Sequence, residues 1–253
     1  RAEPFYTVQL DCGGVSAVSE KFKDNAAAMQ LADACAGQTA VAKCVEQKER
    51  TEKPPALYDL TTLQRDANRI LGYTAQQTLD YLQALYEKKL CTYPRTDARY
   101  LTDDMQSSVP SYVAAAAALC EMPQPEAIHA EQVCNSKKVS DHHALLPTAS
   151  ATKAVFLDLP LGERELLRLV AKQLLCAVSD AHRYSETTVV LSCDGQEFTV
   201  KGKTVLQTGW KQYSGGETVE TPLPEPTEGS ALPVDAASVK EGKTTPPKHY
   251  TED

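Results

Sequence analysis

A tyrosine, two arginines and an aspartate fall within one short stretch, Cys91-Thr92-Tyr93-Pro94-Arg95-Thr96-Asp97-Ala98-Arg99-Tyr100. Pro94 disfavours helical backbone at the residue before it, so the sequence places Tyr93 on an extended loop. A phenol with an ordinary pKa near ~10 is a poor nucleophile at neutral pH. Cations beside it favour the phenolate, and the same cations bind a phosphodiester oxygen. Tyr93 with Arg95 is therefore a candidate nucleophile and phosphate clamp, with Arg99 as a second cation. Asp97 could orient a guanidinium or relay a proton. The bland alternative is a solvated mixed-charge loop, in a chain with eleven tyrosines, most of which pack with the hydroxyl at the surface.

A second candidate is Ser140-Asp141-His142-His143-Ala144-Leu145-Leu146-Pro147-Thr148. Imidazole can hydrogen-bond a phosphate or shuttle a proton, and a nearby acid selects its tautomer. Asp141 could equally be a local cap beside an exposed histidine. Metal binding fits poorly, because adjacent side chains diverge and no third ligand follows at a suitable spacing. Gln83 and Glu87 lie one helical turn apart ahead of Tyr93, either aimed at the same site or facing solvent. Gly13-Gly14 and Gly215-Gly216 open no helix, so a glycine-rich phosphate loop is not in view, nor is a serine-hydrolase elbow.

These groups need elements to hold them. Phe5 to Leu10 and Val15 to Phe22 alternate as strands around a Gly13-Gly14 turn. Asn25 is expected to cap an alanine-rich helix over Ala26 to Cys35, ended by Gly37, with Thr39 to Val45 returning to β-type residues. The charged stretch Lys48 to Pro55 reads as a boundary. Beyond it the period becomes 3.6. One helix starts at Thr61 or Thr62 and stops at Gly72. A second is opened by the capping box Thr74-Ala75-Gln76-Gln77, with Leu79, Leu82, Leu85 and Tyr86 on one face, and ends near Lys89. A third follows Thr102 and is broken or kinked at Pro110, and Gly162 to Ser179 is the clearest of all. Ser185 to Cys193 and Gln196 to Lys201 form a hairpin around Asp194-Gly195. The proline-, glutamate- and threonine-rich tail reads as a linker, with possible strands at Ala231 to Val234 and Ala236 to Val239. Pro54-Pro55-Ala56-Leu57-Tyr58 is faintly echoed by Pro246-Pro247-Lys248-His249-Tyr250.

The fold class expected is α+β: a β-rich domain built from both ends of the chain, residues 1–52 and 183–253, with a helical domain, 53–182, inserted. The 253 residues suffice for two ordinary domains. Mean hydropathy of −0.37 and 24% charged residues are those of a globular chain. The longest apolar run, Tyr112 to Cys120, is about half a membrane span, so no membrane partner is expected. The net charge of −8 argues against a nucleic-acid partner until its distribution is considered. The segment from Gly215 onward holds eight acids against three lysines. Gln83 to Tyr100, by contrast, sets Lys88, Lys89, Arg95 and Arg99 against Glu87 and Asp97, and a phosphate responds to that local field. The eight cysteines form no C-x-x-C and read as small buried hydrophobes in a reducing, cytoplasmic compartment.

The ordered set Lys53-Pro54-Pro55, Leu60-Thr61-Thr62-Leu63-Gln64-Arg65-Asp66-Ala67, Leu85-Tyr86-Glu87, Thr92-Tyr93-Pro94-Arg95-Thr96-Asp97 and Asp141-His142-His143-Ala144-Leu145-Leu146-Pro147-Thr148 resembles the cleavage domain of type IA DNA topoisomerases, in the form of the bacterial topoisomerase III branch. The resemblance implies that residues 53–182 are the tyrosine-bearing domain and that the flanks form the arch that hinges it. It implies that Tyr93 attacks single-stranded DNA to give a 5′-phosphotyrosine and a free 3′-hydroxyl, with Arg95 and His142 at the scissile phosphate. Gln83 and Asp97 match further family positions, and with Arg99, Lys88 and Lys89 they are the expected DNA-binding residues. No candidate for the family's Toprim domain is present. The Mg²⁺ of the intact enzyme would be bound there, no metal is expected on this chain, and the remaining domains of the same polypeptide become its partners. On this basis the chain should bind single strands weakly and fail to relax supercoils. A non-catalytic DNA- or protein-binding helical module is the alternative. A tyrosine recombinase, with its opposite 3′ linkage, lacks the expected C-terminal tyrosine arrangement.

Overall fold

The computed structural model describes residues 3–216, 218–224 and 227–244. The Pro246 to Tyr250 echo lies outside the described residues. The chain divides into two compact units, one of Arg1–Arg50, Tyr184–Val205 and Val219–Asp253, the other of Thr51–Arg183 and Leu206–Thr218.

The first unit is built on a sheet. Its elements are β1 (Pro4–Cys12), β2 (Val15–Ser19), α1 (Asn25–Cys35), β3 (Thr39–Glu52), β4 (His182–Cys193), β5 (Gln196–Gln207), β6 (Ala231–Pro233) and β7 (Ala236–Lys243), some of whose end residues fall in the second unit. The strand order is β6-β3-β4-β5-β2-β1-β7. Alternation decides which faces are buried: Val8, Leu10 and Cys12 of β1, Ala17 of β2, and Val189, Leu191 and Cys193 of β4 point into one core, which α1 closes with Ala28, Leu31, Ala32 and Cys35. At the β4–β5 turn Asp194 and Gly195 both hold positive φ (50° and 73°), the backbone a tight hairpin with right-handed strand twist requires.

Several boundaries differ from expectation. The cap of α1 is Asp24, whose carboxylate accepts from the Ala26 amide at 3.0 Å, while Asn25 is already helical. β3 continues through the charged residues to Glu52. Past the buried Ala42 the strand is mostly exposed, with Val45 partly packed on the core, and Cys44 is exposed rather than buried. The acidic tail contributes β7, antiparallel to β1 from Pro4 opposite Lys243 to Asp11 opposite Ala236, so this part is sheet rather than linker.

The second unit is helical: α2 (Leu60–Leu71), α3 (Ala75–Glu87), α4 (Val109–Cys120), α5 (Lys153–Asp158) and α6 (Leu161–Ala177). α6 is its axis, burying Leu166, Leu167, Val170, Ala171, Leu174 and Leu175. α2, α3 and α4 all pack on it. The small side chains of Ala116 and Ala117 are buried where α4 meets this core. α2 is capped by Asp59 and Thr62, each side chain bonded to the other's backbone amide (2.7 and 3.1 Å), so the helix begins at Leu60 rather than Thr61 or Thr62. Thr74 and Gln77 form the reciprocal box that opens α3. Pro110 sits at the start of α4, where its missing N–H costs nothing, and a 3₁₀ turn over Asp103–Ser108 precedes it. The segment Leu206–Thr218, expected in the β-rich flank, belongs to this unit. Tyr213 is buried in its core and donates from its hydroxyl to the Pro123 carbonyl at 2.8 Å.

Candidate active site

The tyrosine loop begins where α3 ends. Lys88 closes the helix, and Lys89 adopts the left-handed conformation (φ 63°) that turns the chain out. Its carbonyl accepts from the Thr148 hydroxyl at 2.5 Å, and the Leu90 amide reaches back to the Leu85 carbonyl at 2.9 Å. From there the chain pairs with the distant 142–148 segment. The Thr92 amide donates to the Leu146 carbonyl (3.0 Å) while the Leu146 amide donates to the Thr92 hydroxyl (2.9 Å). The Thr148 amide donates to the Leu90 carbonyl and the Ala144 amide to the Tyr100 carbonyl, both at 3.0 Å. Buried Ala144, Leu145, Leu146 and Pro147 seat this ribbon in the helical core. Buried Thr96 adds the tie nearest the chemistry: its hydroxyl donates to the His142 carbonyl at 3.0 Å and accepts from the Ala98 amide at 3.1 Å.

The ribbon brings the two sequence candidates together. The rings of Tyr93 and His142 lie 4.2 Å apart between centroids, inclined by 35°. Tyr86, expected on the buried face of α3, is instead exposed, and its ring meets Tyr93 edge-on at 5.5 Å and 83°. Thr78 takes the buried place beside Leu82 and Leu85. Tyr93 is thus half-buried between an imidazole and a second phenol, with its loop open to solvent. Arg95 is exposed and among the described residues has no hydrogen-bond or ion-pair partner, so its guanidinium is available to an incoming anion. Asp97 is exposed and accepts from the Ser140 hydroxyl at 3.4 Å, which links the two motifs again. His143 is turned to the backbone, its Nδ1 donating to the Ala144 carbonyl at 2.7 Å. Burial pushes the Cys91 thiol up to about 12, which keeps it neutral and inert beside the tyrosine.

The remaining residues separate. Gln83 donates to Glu87 Oε1 at 3.0 Å, one turn along α3. Lys89 lines a recess of about 430 Å³ with Tyr86, Glu87, Cys91, Thr92 and Thr148. Lys88 does not join it: its ammonium is paired with the buried Glu163 of α6 at 2.5 Å. Arg99 turns inward, Nε donating to the Leu57 carbonyl at 2.9 Å and Nη2 to the Ala56 carbonyl at 3.4 Å. Both cations are therefore tied into the unit, Lys88 to a carboxylate and Arg99 to backbone carbonyls. Sequence reasoning missed Thr92 and Thr96 as the residues that lock the ribbon; their only signal was a hydroxyl beside each half of the Tyr-Pro-Arg motif.

No three His, Cys, Asp or Glu side chains converge among the described residues to hold a metal ion. Among the described residues no helix is long and apolar enough to cross a membrane.

A curled antiparallel sheet, a helical unit and a paired tyrosine and histidine on one ribbon define the class. The family model described as DNA topoisomerase matches residues 1–253, and the chain belongs to this family, in its type IA class. Its similarity is to DNA topoisomerase 3 of Bacillus licheniformis (35% identity, 88% of this chain and 32% of that protein), of Bacillus subtilis (36%, 85% and 32%) and of Staphylococcus aureus (30%, 100% and 37%). The chain therefore spans about a third of the length of these curated relatives. In fold it matches full-length topoisomerase I from Thermotoga maritima with a TM-score of 0.77 at 20% identity, over 99% of this chain and 42% of that one.

Proposed function

We propose that this chain is the arch and tyrosine-bearing part of a type IA DNA topoisomerase, and that Tyr93 is its nucleophile. The observation that carries the reading is the convergence of Tyr93 with His142, on the loop that also carries Arg95, which has no partner among the described residues. The Tyr93 oxygen attacks a phosphodiester phosphorus of single-stranded DNA, giving up its proton. The bond from phosphorus to the 3′ oxygen breaks, that oxygen takes up a proton, and a 5′-phosphotyrosine remains. Arg95 stabilises the charge that develops on the non-bridging oxygens, and His142 donates a hydrogen bond to the same phosphate or holds the transferred proton. The ester conserves the energy of the broken bond, so the free 3′-hydroxyl reseals the strand by the reverse step without ATP. Passage of another strand through the open gate changes the topology of the DNA.

The chain as it stands should bind single strands and leave supercoils unrelaxed, because the acidic magnesium cluster of the complete enzyme is assigned elsewhere. Trapping of labelled single-stranded oligonucleotide by the complete enzyme tests the nucleophile. Covalent adduct should form with tyrosine at position 93 and vanish in Tyr93→Phe; an adduct that survives in Tyr93→Phe refutes the assignment. Efficient relaxation of supercoiled plasmid by the 253-residue chain alone would refute the division of labour.

A further inference from the structure

A second concentration of positive charge lies in the helical unit, away from the Tyr93–His142 pair and sharing no lining residue with it. A recess of about 340 Å³ opens between α2, α6 and the turn around Trp210. That volume is at the small end for ligand sites, the scale of a nucleotide rather than of a duplex. Four cations line it: Arg65 and Arg69, one turn apart on α2, Arg99 from the tyrosine loop, and Lys172 of α6. The only carboxylate in its lining, Asp66, is already engaged. One oxygen accepts from the buried Tyr58 hydroxyl at 2.7 Å and the other from Arg69 at 3.0 Å. Arg65 and Lys172 have no hydrogen-bond or ion-pair partner among the described residues. In a chain of net charge −8, two cations without partners among the described residues in one recess give a local positive field open to an anion.

The walls suit a strand. The indole of Trp210 forms part of the lining, held in place by its Nε1–H donating to the Glu52 carbonyl at 3.0 Å. The turn that carries it is fixed by Gly209. At φ +56° a Cβ there would lie 2.3 Å from the Ala181 carbonyl oxygen, so only glycine lets the backbone approach this closely. A phosphate between cations, with an aromatic wall beside it, is the combination that recognises single-stranded nucleic acid. We infer that this recess docks a backbone phosphate of single-stranded DNA, a second contact point for the strand apart from the Tyr93–His142 pair. The identity of the ligand rests on the DNA reading above; the anion site itself does not.

Trp210 is the only tryptophan in the chain, so its emission reports occupancy directly. The 253-residue chain should show a saturable change in emission on titration with oligo-dT. Arg65→Glu with Lys172→Glu should weaken binding by at least about tenfold. Each lost phosphate contact should reduce the slope of log K against log salt by about 0.7. Arg65→Ala, at an exposed position, guards against misfolding: it should weaken binding with an unchanged melting temperature. Wild-type binding and salt slope in the charge-reversed variant would overturn the proposal. So would a response to inorganic phosphate but none to oligo-dT, which would mark a free-anion site. Tyr93→Phe should keep the Trp210 response, so failure of the cleavage assignment and failure of this one give different results.

Discussion

The rings of Tyr93 and His142 lie 4.2 Å apart, although the two residues belong to different sequence motifs separated by α4 and three 3₁₀ turns. Neither side chain creates that contact. It follows from the backbone ribbon between residues 90–100 and 142–148, in which Thr92 and Thr96 supply hydroxyls to the opposite chain. On the reading proposed above, a phenol already held against an imidazole needs little rearrangement to meet a phosphate.

Tyr93→Phe retains both ring contacts and should melt within about 1 °C of wild type, while forming no covalent adduct with DNA. Arg95→Ala should keep the fold and slow cleavage about 10²-fold, the loss typical of one electrostatic donor. Single-turnover trapping of a labelled oligonucleotide separates these two outcomes.

Thr96→Val should destabilise the helical unit by about 1–3 kcal/mol, because the isosteric side chain leaves the His142 carbonyl and the Ala98 amide without a partner in a buried place. Thr96→Ser should restore most of the loss. Urea denaturation measures the stability, and the same variants should show parallel changes in cleavage rate if Thr96 positions His142.

Lys88→Met should act on stability and not on DNA. It strands the buried Glu163 carboxylate and should cost about 1–2 kcal/mol, less than a fully buried pair because Lys88 is half exposed. Adding Glu163→Leu should recover much of that. A fall in the salt slope of DNA binding in the single variant would contradict the structural role.

Lys89→Gly separates backbone from side chain. The left-handed φ of 63° is strained for lysine, so glycine should leave stability unchanged or raise it by up to about 1 kcal/mol. If the Lys89 ammonium meets a phosphate, the same variant should lower DNA affinity and the salt slope by about 0.7.

His129 predicts a pH dependence. Its Nε2 is bonded to Asp180 at 2.8 Å and its Nδ1 lies 3.3 Å from Glu131. The Asp180 hydrogen bond, outweighing the opposing effect of burial and helped by the charges of Asp180 and Glu131, raises the imidazole pKa above 6.5. Binding the proton more tightly when folded, His129 contributes stability fully below about pH 6.5, and that contribution is lost as pH rises through the raised folded value. The melting-temperature gap between wild type and His129→Gln should therefore be widest near pH ~5.5 and close by about pH 9. A gap that widens with pH would reverse the assignment.

Much of this was legible in the linear chain. The Thr74–Gln77 cap, the α6 stripe, the Asp194-Gly195 hairpin and the tyrosine loop after α3 are local, set by side chains acting on backbone within a few residues. Helix starts slipped by a residue or two, as with the cap Asp24 for Asn25 and α2 beginning at Leu60 rather than Thr61 or Thr62, because neighbouring polar residues compete for the same amides. Charge was less legible. Lys88 and Arg99 read as two more cations in a basic stretch, yet one is neutralised by Glu163 and the other bonds to carbonyls of residues 56 and 57. Their partners lie far along the chain, beyond the reach of any spacing argument.

By itself the amino-acid sequence determined the elements, the placement of Tyr93 on an extended turn, and the ordered motifs that mark the family. Only the tertiary structure decided which polar groups meet. It set His142 against Tyr93, left Arg95, Arg65 and Lys172 without partners among the described residues, tied Lys88 to Glu163 and Arg99 to the carbonyls of residues 56 and 57, and moved Trp210 and Tyr213 into the helical unit. The physical reason is range. Helical and strand periodicity are written in neighbours a few positions apart, whereas a hydrogen bond or ion pair is satisfied by whatever the packed core brings within about 3 Å.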